Sequence, residues 1–577
     1  MRSPLVIRRF RQISAASVAL LVAATVPNSV QSQAADQTLS AADVLAALTT
    51  AATAINDDAL SVAVVDRGGR ILGVYARGGA DAFAPDTAVT TARTAALFSN
   101  ANAPLSSRTV RFISGIHFPP GVPNTPSAAL YGIEHTNRGC QLNAQDTGPF
   151  EPPRSIVGSG LARPGPLPCN ASDTRGCAVG NPIALSDRRV IRQVGFSTGK
   201  NDVLDIGPAL DVPMNPGGFA MYRNGRVIGA VGVAGVGPDV AEYTALVSTS
   251  LPAIGISPLP VNPLPPPKAV FIEGLRLPFF SACVSEQCVF DAVAERPPGT
   301  AAGTFSMADV RVTPRAGQAV PEGYLIGPLA STLAGGLTQE DVRRVIDQAV
   351  GRASVTRAQI RLPLTQPTSM VIAVSDATGQ FLAAFRMPDS TIFSFDVATT
   401  KARNAYYFST REGYDVLRGF VTGHGAGYSW EPDPPAGRGW AITNRTLSFG
   451  GQPLFPPGID LEKAGTPGPW FDLFQYDLAN PCTEGPGPSR GGNRQFANQS
   501  GIVWFPGSAP LYKNGTLVGG VGVSGDGVEQ DDYVTAGAVV GFDAPAELRV
   551  DRSVIKTSDG TSVRLPYWKF PRNPELR

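Results

Sequence analysis

The sequence is poor in charge. Of its 577 residues only 16% are Asp, Glu, Lys or Arg, and 48 Lys and Arg are balanced by 47 Asp and Glu. Soluble domains ordinarily carry about 25%. A net charge of +1 supplies no long-range field for a polyanion, which argues against nucleic-acid binding. Histidine is scarcer still, with three residues, so imidazole chemistry has few places to occur. No run after the N-terminus reaches the roughly 18 uninterrupted apolar residues of a membrane span. No CxxC pair, HExxH, P-loop or Ser-His-Asp order is present. Motifs alone therefore leave an enzyme uncertain and favour a binding protein.

What the chain has in abundance is glycine (63) and proline (52), which implies long loops around folded units. Arg8, Arg9 and Arg11 precede an uncharged run from Ile13 to Val26, and Ser32-Gln33-Ala34 offers a small-x-small cleavage site. Residues 1–34 thus read as a signal peptide, with Sec and twin-arginine export both open. The address expected is periplasmic or secreted. Six cysteines suit an oxidising compartment, with Cys283 and Cys288 as the best local pair. Cys140, Cys169, Cys177 and Cys482 read as loop staples rather than metal ligands.

One module occurs twice. Ser61–Gly69 runs parallel to Val371–Gly379 at a spacing of 310 residues, which persists through Tyr75/Phe385, Arg93/Arg403 and Phe98/Phe408. Farther on, Tyr222-Arg-Asn224-Gly225 matches Tyr512-Lys-Asn514-Gly515, and Gly232-Val-Ala-Gly235 matches Gly522-Val-Ser-Gly525. The expected domains are residues 36–251 with an insertion at about 112–215, a Pro-rich linker 252–329, residues 330–550 with an insertion at about 422–506, and a C-terminal tail 551–577. Seven prolines between Pro252 and Pro267 mark the boundary. All five Trp lie at or beyond Trp430, and the insertions are expected to wrap the modules.

Each copy reads helix, strand, strand, helix, insertion, strand, strand, helix. Ser40 and Thr338 sit where N-caps belong. Asp86 and Asp396 are read as opening the helices that carry Arg93 and Arg403. Asn224-Gly225 and Asn514-Gly515 each join two apolar strands, the pattern of a type I′ hairpin. The fold class expected is α/β of the α+β type, each module an antiparallel sheet with packed helices. Gly520-Val-Gly522-Val-Ser-Gly525 matches a dinucleotide fingerprint, but its strand belongs to a hairpin and acidic residues crowd the next helix, so that reading is rejected. Asp66 and Asp376 precede Gly-containing turns, where an Asx-turn role is expected.

These pieces resemble the haem-binding GlcG/HbpS-like family, whose module also occurs at the C-terminus of some corrinoid adenosyltransferases. The residues that carry the resemblance are Val374-Ser-Asp376-Ala-Thr-Gly379, Ala398-Thr-Thr-Lys401-Ala402-Arg403 and Gly519–Asp526 followed by Gln530-Asp531. The first copy departs from it, with Thr91 for Lys401 and Ala241 for Asp531. The resemblance implies an exported tandem binder of haem or a related tetrapyrrole, leaving open a homo-oligomer, haem degradation, or a structural role without haem. Val110-Arg111 through His117 is aligned with Leu417-Arg418 through His424. His424 and His117 are then the candidate iron ligands, and Arg418, Lys401, Arg403, Arg111 and Arg93 the candidate propionate partners. The competing readings are a His bonded to loop backbone and a solvated helix face for Lys401 and Arg403. His135 has no partner in the second copy.

Overall fold

The computed structural model describes residues 38–67, 71–80, 84–114, 216–261, 269–280, 297–307, 323–359, 366–458, 466–479 and 501–576, apart from a few positions within them, and also 122 and 125. The signal peptide, all six cysteines, His117 and His135 lie outside the described residues.

In the first module α1 (Ala41–Ala54) is followed by β1 (Ser61–Asp66), β2 (Ile71–Ala76), α2 (Ala84–Phe98) and α3 (Ser107–Ser114). Next come β3 (Gly218–Arg223), β4 (Arg226–Ala234), α4 (Pro238–Thr249), β5 (Ala269–Ile272), β6 (Leu275–Pro278) and β7 (Thr304–Met307). The second module has β8 (Gly323–Ile326), α5 (Gln339–Val355), β9 (Val371–Asp376), β10 (Phe381–Arg386) and α6 (Ser394–Ser409). After α7 (Arg411–Gly423), β11 (Ser429–Glu431), α8 (Asn444–Gly450) and α9 (Phe471–Ala479), it resumes with β12 (Ser508–Lys513), β13 (Thr516–Ser524) and α10 (Val528–Ala538). The strands β14 (Val554–Lys556) and β15 (Ser562–Arg564) complete it.

The two large sheets have one topology. Their orders are β3-β4-β1-β2-β7 and β12-β13-β9-β10-β8, and every described pairing is antiparallel. Successive residues of a strand point to opposite faces, so alternation sorts the core. Val62 and Val64 pack with Val44, Leu48 and Leu246 of α1 and α4, whereas Ala63 and Val65 pack with Ala88, Ala92 and Ala96 of α2. Ile372 and Val374 likewise meet α5 and α10, and Val371 and Ala373 meet α6. The central helix approaches closely because glycine faces it. A Cβ on Gly232 or Gly522 would stand 2.1 or 2.0 Å from the carbonyl oxygen of Ala88 or Ala398.

Local signals act as the sequence demands. Ser40 and Thr338 form complete capping boxes with Asp43 and Asp341. Asn224 and Asn514 both have φ 51°, followed by Gly225 and Gly515 at φ 73° and 75°. The stretch from 252 to 329 does more than connect: β7 joins the edge of the first sheet and β8 the edge of the second. Residues 551–577 do more than trail, since β14 pairs with β11 and β15. A separate apolar cluster built on Tyr414, Trp430, Trp470, Trp504, Ile555 and Tyr567 joins the second insertion to this C-terminal hairpin.

Candidate functional site

The site is best built from a constellation that both modules share. At the start of α3, Ser106 and Thr109 form a hydroxyl pair that donates to the carbonyls of Phe279 and Pro278. At the start of α8, the N-cap Thr443 and Thr446 do the same to Tyr567 and Pro566. Leu105 N–H donates to Ser99 Oγ as Ile442 N–H donates to Ser409 Oγ. Thus α3 corresponds to α8, and Leu275-Arg-Leu-Pro-Phe-Phe280 corresponds to Val563-Arg-Leu-Pro-Tyr-Trp568.

This corrects the alignment of His117 with His424. The helix that carries His424 at its end, α7, lies between α6 and α8, whereas among the described residues of the first module no helix lies between α2 and α3. The true match is Arg108-Thr109-Val110-x-Phe112 with Arg445-Thr446-Leu447-x-Phe449, a repeat legible in the sequence but hidden by the added helix. Arg111 therefore faces Ser448 in the comparison, not Arg418.

The matched arginines reach matched acids. Arg108 binds Glu242 through Nε and Nη2 at 2.8 and 2.9 Å, and Arg445 Nε binds Asp532 at 2.7 Å. Both carboxylates are fully buried, and burial pushes the Asp532 carboxyl up. Beside this shared pair the second module has another. Lys401 Nζ donates to Asp531 Oδ2 at 2.9 Å and to the Val523 carbonyl at 2.8 Å, and lies 4.6 Å from the Phe505 ring centroid. Burial lowers the ammonium and raises the Asp531 carboxyl to about 7, against the pull of Lys401. Asp531 Oδ1 is buried without a hydrogen-bond partner. A carboxyl held near 7 beside a desolvated amine can keep or release one proton at neutral pH.

The residues singled out from sequence do not converge. Lys401 and Arg403 are both fully buried, so the solvated-face reading fails, and neither lines an open cavity among the described residues. Two positions apart on a helix turns them about 200° from each other. Accordingly, Lys401 faces α10, while Arg403 donates from Nε to the Gly379 carbonyl and stacks 4.1 Å over Phe381. Arg93 is equally enclosed, and burial lowers it to about 10. Arg418 is half-buried and pairs with Asp433 at 3.1 Å. Arg111 is half-buried in the last turn of α3.

His424 is the C-cap of α7. Its Nδ1 accepts the Ala426 N–H at 3.1 Å, its ring lies 5.1 Å from Tyr428, and its buried Nε2 has no partner. The backbone bond puts the neutral imidazole proton on Nε2. Asp376 takes the expected turn role: Oδ1 accepts from Thr378 N–H and Gln380 N–H, an Asx-turn arrangement. The helices thought to open at Asp86 and Asp396 begin two residues earlier, at Ala84 and Ser394. The described residues contain no cluster of three His, Cys, Asp or Glu suited to a metal.

Concave surfaces lie elsewhere among the described residues. A groove of about 840 Å³ runs along α7 and is lined by Arg411, Asp415, Val416, Phe420, Gly423 and Asp472, among others. A pocket of about 590 Å³ is lined by Arg549, Arg552, Arg564, Asp551, Ala546 and Val554.

A family model described as haem degrading protein HbpS-like matches residues 337–455 and 471–539. The chain carries an HbpS-like module. Both matched segments lie in the second half, so the HbpS-like module is the one with Lys401 and Asp531. No curated protein matches the chain. Among solved structures, the crystal structure of a PduOC:heme complex is 20% identical with a TM-score of 0.21, covering 36% of this chain and 97% of that one. Klebsiella pneumoniae protein ORFY is 19% identical with a TM-score of 0.21, covering 37% of this chain and 96% of that one. Among the described residues no helix is long and apolar enough to cross a membrane.

Proposed function

We propose that the protein is an exported tetrapyrrole-binding protein of the HbpS-like type, with haem as its ligand. The observation that carries this reading is the family match across the second module. The groove along α7 has a volume within the ~300–1,000 Å³ typical of small-molecule sites, an apolar stretch at Val416 and Phe420, and Arg411 at one end. Gly423 lines it and His424 follows. His424 would hold the iron and Arg411 or Arg418 a propionate, and the bound group would supply redox-active iron. For Nε2 to ligate, the imidazole proton must move to Nδ1, which requires the Ala426 N–H bond to break. The donor set therefore fits only after that local rearrangement. Lys401, Arg403 and Arg93 are buried and are not among the residues that line this groove.

Haem titration of the chain without residues 1–34 tests the reading. The expected result is a saturable Soret band whose position and affinity both change in His424→Ala. Absence of the band overturns haem binding and favours an interaction protein. Loss of a formed band with reductant and oxygen would instead favour haem degradation, the activity named in the family description. N-terminal sequencing of exported protein checks the expected cleavage after Ala34 and the periplasmic or secreted address.

A further inference from the structure

The pocket of about 590 Å³ beside β14 and β15 is a second concave site, and its lining is basic. Three of its six residues are arginines, in a chain where positive and negative charge otherwise nearly cancel. One of the three is already ion-paired. Arg549 Nη2 binds Asp551 Oδ2 at 2.7 Å, and its guanidinium lies 4.5 Å from the Tyr567 ring centroid, which fixes its plane. This pair neutralises itself and forms one wall.

The other two arginines are each held through Nε alone. Arg552 Nε donates to the Ala546 carbonyl at 2.7 Å, and Arg564 Nε donates to the Asp551 carbonyl at 2.5 Å. Each backbone bond orients its guanidinium while leaving both Nη groups without a protein partner among the described residues. Two uncompensated charges with four free nitrogen donors, arranged around one cavity, match a group with two negative charges and several acceptor oxygens.

The first module supplies a comparison within the molecule. Its equivalent hairpin keeps Arg276 at the position of Arg564, but the run before it, 252–267, has no charged residue. The arginine pocket is thus an addition to the second module, as α7 is.

We propose that this pocket binds a small dianionic group, a phosphate or a compact dicarboxylate, clamped between Arg552 and Arg564. Both arginines are exposed, so binding is strongest at low ionic strength and weakens with added salt. Calorimetric titration of the full chain with inorganic phosphate, and separately with malonate, tests it. The expected result is saturable binding that Arg552→Gln/Arg564→Gln weakens about tenfold or more, since each charge-assisted contact carries roughly that factor. Arg552→Lys/Arg564→Lys keeps the charge without the fork and should fall between the two. Arg276→Gln in the first module should leave binding unchanged. Tighter phosphate assigns a phosphoryl ligand, and tighter malonate a dicarboxylate. If neither probe binds the native chain, or the double Gln variant loses less than tenfold, the pocket is not an anion site. The Soret titration is read separately, so failure here leaves the haem reading standing.

Discussion

The two modules build the same sheet around different interiors. At the position of Lys401 the first module has Thr91, whose hydroxyl donates back to the Thr87 carbonyl, and at the position of Asp531 it has Ala241. Both sites are buried in both copies. The fold is therefore complete with a hydroxyl and a methyl, and the buried ion pair of the second module is not needed for its topology. Burying two charges costs several kcal/mol per ion before their attraction is counted, and similar-sized neutral replacements are often no worse. A pair kept where the fold does not require it points to the second module as the one with a charge-dependent task.

The shared constellation offers the strongest way to break this comparison. Arg108→Met and Arg445→Met should each destabilise their module by about 3 kcal/mol, because each removes the arginine that faces a fully buried carboxylate. Calorimetry that resolves the two unfolding transitions measures both. Unequal losses would show that the hydrogen-bond equivalence of α3 and α8 is not an energetic one.

The next effect is specific to the second module. Asp531→Ala alone strands Lys401 and should cost about 2–3 kcal/mol, whereas Lys401→Thr/Asp531→Ala, which copies the first module, should return to within about 1 kcal/mol of the native chain. A double variant no better than the single would mean that the ion pair shapes the packing after all.

Acidity sharpens the same contrast. The Asp531 carboxyl titrates at about 7 in the folded chain and starts from 3.8 as an ordinary aspartate. Folding therefore takes up a proton between these values. That stabilisation is full below the lower value and is lost as pH rises through the higher one. From pH 4 to 7 the native chain should lose on the order of 3 kcal/mol relative to Lys401→Thr/Asp531→Ala. Parallel pH profiles would place the Asp531 carboxyl in the ordinary range and remove the proton-holding role.

What the sequence made legible was local. Strand pairs, N-caps and Asn-Gly turns depend on residues a few positions apart, and the internal repeat shows them twice. The failures came where distance or insertion intervened. Helix α7 displaced α8 from its expected place, so an arginine and a histidine on an added helix were matched to a different helix of the first module. The Arg-Leu-Pro-aromatic repeat lay in stretches read as linker and tail, although it caps α3 and α8 by hydrogen bonds across more than a hundred residues. The burial of Lys401 depends on an acid 130 residues away, which helix periodicity alone could not reveal.

The smallest effect tests whether the local parts are truly interchangeable. Gly225 and Gly515 occupy the second turn position of their hairpins at φ 73° and 75°, and a Cβ added at either would meet nothing within 4 Å. With no steric contact to relieve, the cost of Gly225→Ala or Gly515→Ala is that of holding an L-residue in the left-handed region, about 1 kcal/mol, partly offset by a stiffer unfolded chain. Because the preceding Asn has φ 51° in both turns, the two losses should agree within about 0.5 kcal/mol. Denaturant unfolding of each single variant checks this. A markedly larger loss at Gly515 would mean that the second hairpin is strained by what packs on β12 and β13, and that the ion pair near β13 reaches as far as its turn.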